Sequence, residues 1–143
     1  MRNEDFYEQE ATFNRILVAE GDFYADKHVK LGVFCPHSQR MLASIDFSDI
    51  MRGPLQACFA GYSIDAQHQG QGLMQEFMPP CIAYMFNQFN IHRIMATYTN
   101  ENQRSAALLD RLGFEKEGYA KSYLNIAGVW EGHVLSAMVN PHH

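Results

Sequence analysis

The spacing of hydrophobic residues in the first half of the chain predicts one helix followed by three strands. Apolar residues near the N-terminus recur mostly at helical spacing, and Gly21 then supplies a stop signal. Val29, Leu31 and Val33 alternate with other residues as in a half-buried strand. The predicted elements are a helix over residues 4–20, strands over 29–33 and 41–47 with a turn at 35–39 between them, and a strand over 57–64.

The second half begins with a longer helical pattern. Apolar residues from Met74 to Phe89 form one stripe at helical spacing and predict a helix over 71–90. Pro79 and Pro80 lie inside it, and we expect a kink or a restart at Pro79 because proline lacks the amide donor. The remaining predicted elements are a strand over 92–99, a helix over 102–112, and strands over 119–126 and 129–138 joined by Ala127-Gly128.

The ends of the short helix also carry sequence signals. Asn100 and Gln103 have the spacing of a capping box, and Gly113 is placed to follow the C-cap. The element order α-β-β-β-α-β-α-β-β predicts an α/β (α+β) fold with antiparallel hairpins at both ends. The length of 143 residues suits a single domain over 1–143.

The middle of the chain predicts a binding site for an anion. A strand–helix–strand crossover is right-handed and makes strands 57–64 and 92–99 parallel. The helices that start near Gln71 and Asn102 then face the same edge of the sheet, with unpaired amides and a partial positive charge. Ligands of open α/β sheets bind at that edge, and an anion is the natural guest.

Gly70 and Gly72 precede the longer helix and allow a phosphate to approach backbone amides closely. By itself this pattern is also compatible with an ordinary turn. It is not a dinucleotide-binding fingerprint, because Gln75 stands where a third glycine belongs. It is not an NTPase phosphate loop, because no Gly-Lys-Ser/Thr follows.

Composition excludes several classes of function. The formal net charge of -5 argues against a direct nucleic-acid partner, and no apolar run suggests a membrane partner. Three cysteines without a CxxC pair, and a charged N-terminus, lead us to expect a soluble cytoplasmic protein with reduced thiols. The histidines show no metal-ligand spacing, so no metal is predicted.

Two motifs carry a resemblance to a known family. Gln67-x-x-Gly70-x-Gly72 resembles motif A of the GNAT acyltransferase superfamily. Asn102-x-x-Ser105, followed by Leu112-Gly113-Phe114, is similar to its motif B. The chain looks most like the RimJ/RimL branch, which acetylates the N-terminal alanine of ribosomal proteins.

This resemblance implies a GNAT-like acyl-CoA N-acyltransferase fold, with a mixed central sheet and helices on both faces. It implies acetyl-CoA as cosubstrate, with its acetyl and pantetheine groups in a gap between the strands that end near Ile64 and Tyr98. The implied coenzyme-binding residues are Ser63 and Ile64 through their backbones, Gln69, Gly70, Gln71, Gly72, Leu73 and Met74 through their amides, and Asn102 beside the pantetheine.

The catalytic groups are less completely specified. Many family members have a tyrosine acid seven residues after the motif B asparagine, but Leu109 occupies that position here. Ser105 is the substitute we predict, acting with Asn102, and a solvated helix residue is the alternative for Ser105. Glu76, His68, Glu131 and His133 are the candidates for a base, and none is assigned.

Family members usually begin with a strand and a helix ahead of the helix predicted over 4–20, and we expect this chain to be short of both, so acceptor selectivity stays open. The predicted function is transfer of an acetyl group to a protein or peptide N-terminal amine, such as that of a ribosomal protein. The alternatives are a non-catalytic CoA-binding module and an acetyltransferase of a small amine. The sequence leaves the oligomeric state open, with a homodimer among the alternatives.

Overall fold

The computed structural model describes residues 17–18, 26–34, 40–69 and 72–143, without the side chains of Leu17, Val18 and His68. Its strands are β1 Leu17–Val18, β2 Val29–Phe34, β3 Met41–Met51, β4 Ala57–Ile64, β5 Arg93–Tyr98, β6 Glu115–Ile126 and β7 Val129–Val139. Its helices are α1 Leu73–Gln88 and α2 Gln103–Leu112, and Ala66–His68 form a 3-10 turn.

All seven strands belong to one sheet with the order β1-β2-β3-β4-β5-β7-β6. Only β4 and β5 are parallel neighbours among these strands, and the other neighbouring pairs are antiparallel. The predicted mixed sheet and the crossover through the long helix are confirmed. The parallel pair brings the starts of both helices to the same edge of the sheet.

The two parallel strands stay together over only part of their length. Three pairs join them, from Ala57 opposite Arg93 to Phe59 opposite Met95. Both strands continue beyond that point, since β4 runs to Ile64 and β5 to Tyr98. Within these two fully described strands the remaining residues are not paired with each other, so the sheet has the predicted gap in its middle.

Helix α1 supplies a large part of the core through one face. Phe77, Met78 and Met85 are almost completely buried, and burial of each such side chain stabilises the fold by about 1.5–3 kcal/mol. Pro79 and Pro80 lie on the exposed face, and the helix continues through them. The predicted restart at Pro79 is therefore wrong, because water can bond the carbonyls that the prolines leave unpaired.

The first predicted helix is corrected at its end. Leu17 and Val18 form a short strand that pairs with Leu31 and Gly32 of β2, so the helix does not extend to residue 20. Pairing with an existing edge has overridden the local helical pattern. The rest of the predicted helix and the predicted turn at 35–39 lie outside the described residues.

The cap of α2 also differs from the prediction. Asn102, and not Asn100, is the N-cap: its Oδ1 accepts a hydrogen bond from the Ser105 amide at 3.1 Å. Gln103 does bond Asn100, but through the Asn100 backbone carbonyl. Gly113 ends the helix with a φ of 99°, as predicted.

The C-terminal hairpin forms as predicted. Ala127 and Gly128 both have positive φ, of 52° and 87°, which matches a two-residue turn of type I′. Trp130 is 61% exposed on this hairpin. Cys58 and Cys81 are free thiols inside the core, and burial raises the pKa of each to about 12. No helix among the described residues is both long and apolar enough to cross a bilayer.

Candidate functional site

A cleft of about 210 Å³ lies between the start of α1, the end of β4 and one side of α2. It is lined by Tyr62, Ile64, Gln69, Gly72, Leu73, Met74, Gln75, Arg104, Ala107, Leu108 and Arg111. The predicted binding positions that meet there are Ile64, Gln69, Gly72, Leu73 and Met74. Gly70 and Gln71, also predicted, lie outside the described residues.

The start of α1 is suited to an anion. Gly72 is the N-cap residue and has a φ of 74°, a left-handed conformation that glycine adopts without strain. Within the described residues, no side-chain hydrogen bond caps the helix at Gly72. The first amides of a helix have no acceptors within the helix and carry a partial positive charge, so they remain available to a ligand.

Two arginines add positive charge on the opposite wall of this cleft. Arg104 and Arg111 are seven residues apart on α2 and therefore project from the same side of the helix. Arg104 donates a hydrogen bond to Oε1 of Gln69 at 3.0 Å. The sequence interpretation missed both arginines, although their i, i+7 spacing on a predicted helix was a usable signal.

The turn between β4 and α1 is held by its own polar contacts. Arg40 forms an ion pair with Asp65 at 2.9 Å, and the Asp65 amide donates to the Leu42 carbonyl at 2.7 Å. Nε2 of Gln69 reaches the carbonyl oxygen of Ile64 at 3.5 Å. These contacts fix the end of β4 relative to the helix start, which preorganises the cleft.

The hydroxyl of Ser105 lies next to a tyrosine. Oγ of Ser105 is 2.8 Å from the hydroxyl of Tyr62, and both side chains are half buried. Tyr62 lines the cleft, whereas Ser105 is not one of its lining residues. No local sequence pattern signals this contact, because it depends on how α2 packs beside β4.

Ser63 lies on β4 beyond its last pair with β5, and Asn102 is the N-cap of α2, which follows β5. Asn102 is exposed, and its side-chain oxygen is engaged in capping α2. Ser63 is exposed on β4, and its Oγ lies 2.9 Å from Oγ of Ser44 on the neighbouring strand. Neither residue lines the cleft of 210 Å³, although both lie close to residues that do.

The geometry and the motifs agree with a sequence comparison. Residues 4–115 match the profile of the Acetyltransferase (GNAT) domain, which is more than half of the chain. The chain belongs to the GNAT acetyltransferase family. Members of this family use acetyl-CoA.

Three relatives illustrate where the chain lies within the GNAT family. It is 50% identical over 110 residues to the [ribosomal protein uS5]-alanine N-acetyltransferase of Escherichia coli, covering 77% of this chain and 57% of that protein. It is 34% identical to the probable N-acetyltransferase YjcK of Bacillus subtilis, covering 99% of this chain and 78% of that protein.

The third relative is a solved structure, that of the ribosomal-protein-S5-alanine acetyltransferase of Vibrio fischeri. It superposes with a TM-score of 0.79 at 38% identity, covering 84% of this chain and 66% of that one. The chain spans less than two thirds of the length of both alanine acetyltransferases.

Of the four candidate bases, Glu76, Glu131 and His133 do not line the cleft of this GNAT domain. His133 is buried, with Nδ1 3.0 Å from the backbone oxygen of Glu131, and its ring lies near Tyr123. Glu76 is an exposed residue of the first turn of α1. The side chain of His68 is outside the described residues. Across the described ranges, His, Cys, Asp and Glu side chains form no group of three able to hold a metal.

Proposed function

We propose that this chain transfers the acetyl group of acetyl-CoA to the N-terminal α-amine of a protein, and that the acceptor is an N-terminal alanine of a ribosomal protein. The observation that carries the proposal is the cleft at the start of α1, where free helix amides and two arginines face one another beside the gap in the sheet. A single polyanionic ligand with an extended arm fits both features.

The pyrophosphate of the coenzyme is proposed to bind at the start of α1. The backbone amides proposed to donate hydrogen bonds to the pyrophosphate are those of Gln69, Gly70, Gln71, Gly72, Leu73 and Met74. The side chains of Leu73 and Met74 are buried in the core, so only their amides are available for binding. Arg104 and Arg111 add charge to the opposite wall, where charge-assisted hydrogen bonds to phosphate are stronger than neutral ones.

The acetyl and pantetheine groups are proposed to lie between β4 and β5. Ser63 and Ile64 offer backbone hydrogen bonds there, as an oxyanion hole offers donors to a tetrahedral intermediate. Asn102 lies at the start of α2 beside the pantetheine in this proposal. Ser105 places a hydroxyl one turn further along α2, for hydrogen bonding to the leaving sulfur directly or through its neighbour.

The acceptor amine needs little help to become a nucleophile. An α-amine has a pKa of about 7.7–8.0, so roughly a tenth of it is neutral at pH 7, whereas a lysine side chain titrates near 10.4. Direct attack on the thioester with proton release to water is therefore sufficient, and no base is assigned. The chain would act in the cytoplasm, where its proposed acceptor is made.

Support for this acceptor comes from the two alanine acetyltransferases, which are 50% and 38% identical to the chain. The test is a panel of acceptors incubated with acetyl-CoA. It contains a peptide with a free N-terminal alanine, the same peptide N-acetylated but with an internal lysine, and a polyamine. Mass spectrometry locates each acetyl group.

We expect acetylation of the alanine peptide alone. Acetylation of the polyamine alone would establish the small-amine alternative. Coenzyme binding without any transfer would establish the non-catalytic module. Binding is followed separately by thermal unfolding, since ligand at 100 times its Kd stabilises the folded state by about 2.7 kcal/mol.

A further inference from the structure

Among the described residues that line the cleft, Tyr62 is the one whose side chain carries an acidic hydroxyl. Tyr62 projects from β4 to within 2.8 Å of Ser105 Oγ, and it lines the cleft while Ser105 does not. A phenol is a much stronger acid than the aliphatic hydroxyl of a serine. Of the two residues, Tyr62 is therefore the one that lines the cleft and the one whose hydroxyl is better able to give up a proton.

Leu109 explains why this group comes from a strand. Many GNAT members carry a tyrosine at that position of α2, but Leu109 is buried in the core and only 3% exposed. Ser105 lies one helical turn before Leu109, and its hydroxyl is 2.8 Å from that of Tyr62. The tyrosine that many family members carry on this helix is absent here, and the tyrosine beside Ser105 comes from β4 instead.

We propose, on the basis of the acetyl transfer proposed above, that Tyr62 protonates the leaving thiolate and that Ser105 is a positioning residue for it. When Ser105 donates its proton to the Tyr62 oxygen, the phenolic proton is free to point into the cleft. The same hydrogen bond stabilises the phenolate that forms when this proton leaves.

The bonds, electrons and protons of the proposed step balance within the acetyl transfer. The amine nitrogen bonds to the acetyl carbon, the carbon–sulfur bond breaks, and its electron pair goes to sulfur. As that bond breaks, the phenolic proton of Tyr62 passes to the sulfur, which gives a free thiol and a phenolate. The proton lost by the new amide nitrogen returns through water to Tyr62, so no other reactant is consumed.

The test uses Tyr62→Phe, Ser105→Ala and the double variant, with Tyr84→Phe as the control. Tyr84 is also a partly buried tyrosine, but it lies on α1 with its ring against Phe89. Single-turnover acetyl transfer to the accepted substrate is measured from pH 6 to pH 10, together with the Kd for acetyl-CoA and the melting temperature.

We expect Tyr62→Phe to slow single-turnover transfer by about 10²-fold, the lower end of the range for general acids, with Kd changed by less than about twofold. Ser105→Ala is expected to cost less, and the double variant to equal Tyr62→Phe, because both residues serve one proton transfer. The wild-type rate is expected to fall at alkaline pH as the phenol ionises, and this fall is absent in Tyr62→Phe. Tyr84→Phe keeps the wild-type rate.

The inference is overturned if Tyr62→Phe transfers acetyl at the wild-type rate, if the two single effects multiply, or if the alkaline fall persists in Tyr62→Phe. Should Tyr62→Phe unfold, 3-fluorotyrosine at position 62 replaces it, since this residue keeps the ring and hydroxyl but is more acidic. The proposed role then requires faster transfer at pH 7 and a fall that begins at lower pH. An unchanged profile rejects it.

Failure of the proposed function has a different signature. In that case the wild-type chain itself transfers no acetyl group to any acceptor of the panel. A wild-type chain that transfers normally while Tyr62→Phe does too rejects only the role of Tyr62.

Discussion

The guanidinium of Arg104 donates a hydrogen bond to Oε1 of Gln69 across 3.0 Å and so joins α2 to the turn that precedes α1. The same glutamine reaches back to the Ile64 carbonyl at the end of β4. The Gln69 side chain therefore links the three elements that form the cleft. It also holds the positive charge of Arg104 at the cleft wall.

Arg104→Gln is expected to weaken acetyl-CoA binding by about 5- to 30-fold, which corresponds to a loss of about 1–2 kcal/mol. The lost charge also makes binding less sensitive to salt, because fewer ionic contacts are screened. Titration calorimetry at two salt concentrations checks both effects. Lys30→Gln, an exposed change of charge on β2, is the control, and equal losses in the two variants would contradict a local role for Arg104.

Gly72→Asp is expected to abolish the thermal stabilisation by acetyl-CoA, since a carboxylate at the start of α1 repels phosphate. Gly53→Asp is a matched control, because Gly53 has a φ of 73° against 74° for Gly72 and lies in the loop between β3 and β4. No described atom lies within 4 Å of an added Cβ at either glycine. Both variants should share a backbone strain of about 1–3 kcal/mol.

Differential scanning fluorimetry with and without acetyl-CoA separates the two effects. Gly53→Asp should melt at a lower temperature yet keep the full shift with ligand. Loss of the shift in both variants would mean that strain, and not the charge at the helix start, removes binding.

Asn102→Ala is expected to destabilise the fold by about 1 kcal/mol, because the amide of Ser105 loses its capping partner. Asn100→Ala is the comparison: Asn100 contributes a backbone carbonyl to the contact with Gln103, and alanine retains that carbonyl. Urea denaturation measures both variants. A larger loss for Asn100→Ala would restore the capping box predicted from the sequence.

The ion pair of Asp26 and Arg52 makes the free energy of unfolding depend on pH in the acid range. Arg52 contacts both carboxylate oxygens of Asp26, at 2.6 and 2.7 Å, and this hydrogen bonding holds the pKa of Asp26 below its usual value. A lowered pKa in the folded state stabilises the fold above the unfolded pKa of about 4, and the contribution disappears as pH falls through the lower folded value.

Asp26→Asn is therefore expected to be less stable than the wild type at pH 7, by no more than about 1 kcal/mol because both side chains are partly exposed. The two proteins should converge in stability as the pH falls through the lowered pKa of Asp26, as measured by urea denaturation over a range of pH. A difference that persisted undiminished at pH 2 would assign the effect to packing. Arg52→Ala should cost more, since Arg52 also donates to the Phe89 carbonyl at 2.8 Å.

Local signals in the sequence were sufficient for much of the fold. Gly113 and the pair Ala127-Gly128 specify their turns through backbone conformations that few residues tolerate, and the structure has those turns. Leu17 and Val18 were assigned wrongly because their conformation depends on pairing with β2, which a helical spacing does not report.

The site was predictable only where it is built from neighbouring residues. The glycine pattern before α1 and the start of α2 could be read from short motifs. The contacts of Tyr62 with Ser105 and of Gln69 with Arg104 join residues 43 and 35 positions apart. Such contacts depend on how a helix packs beside a strand, and no local pattern encodes that distance.

Because β4 and β5 separate after three residue pairs, the hydrogen bonding of the sheet is incomplete at its centre. Backbone groups that a neighbouring strand would normally satisfy are left facing a slot after Phe59 and Met95. A ligand with amide groups of its own could act as the missing strand. Binding and completion of the sheet would then be the same event, and amides along this slot should exchange with solvent more slowly once it is filled.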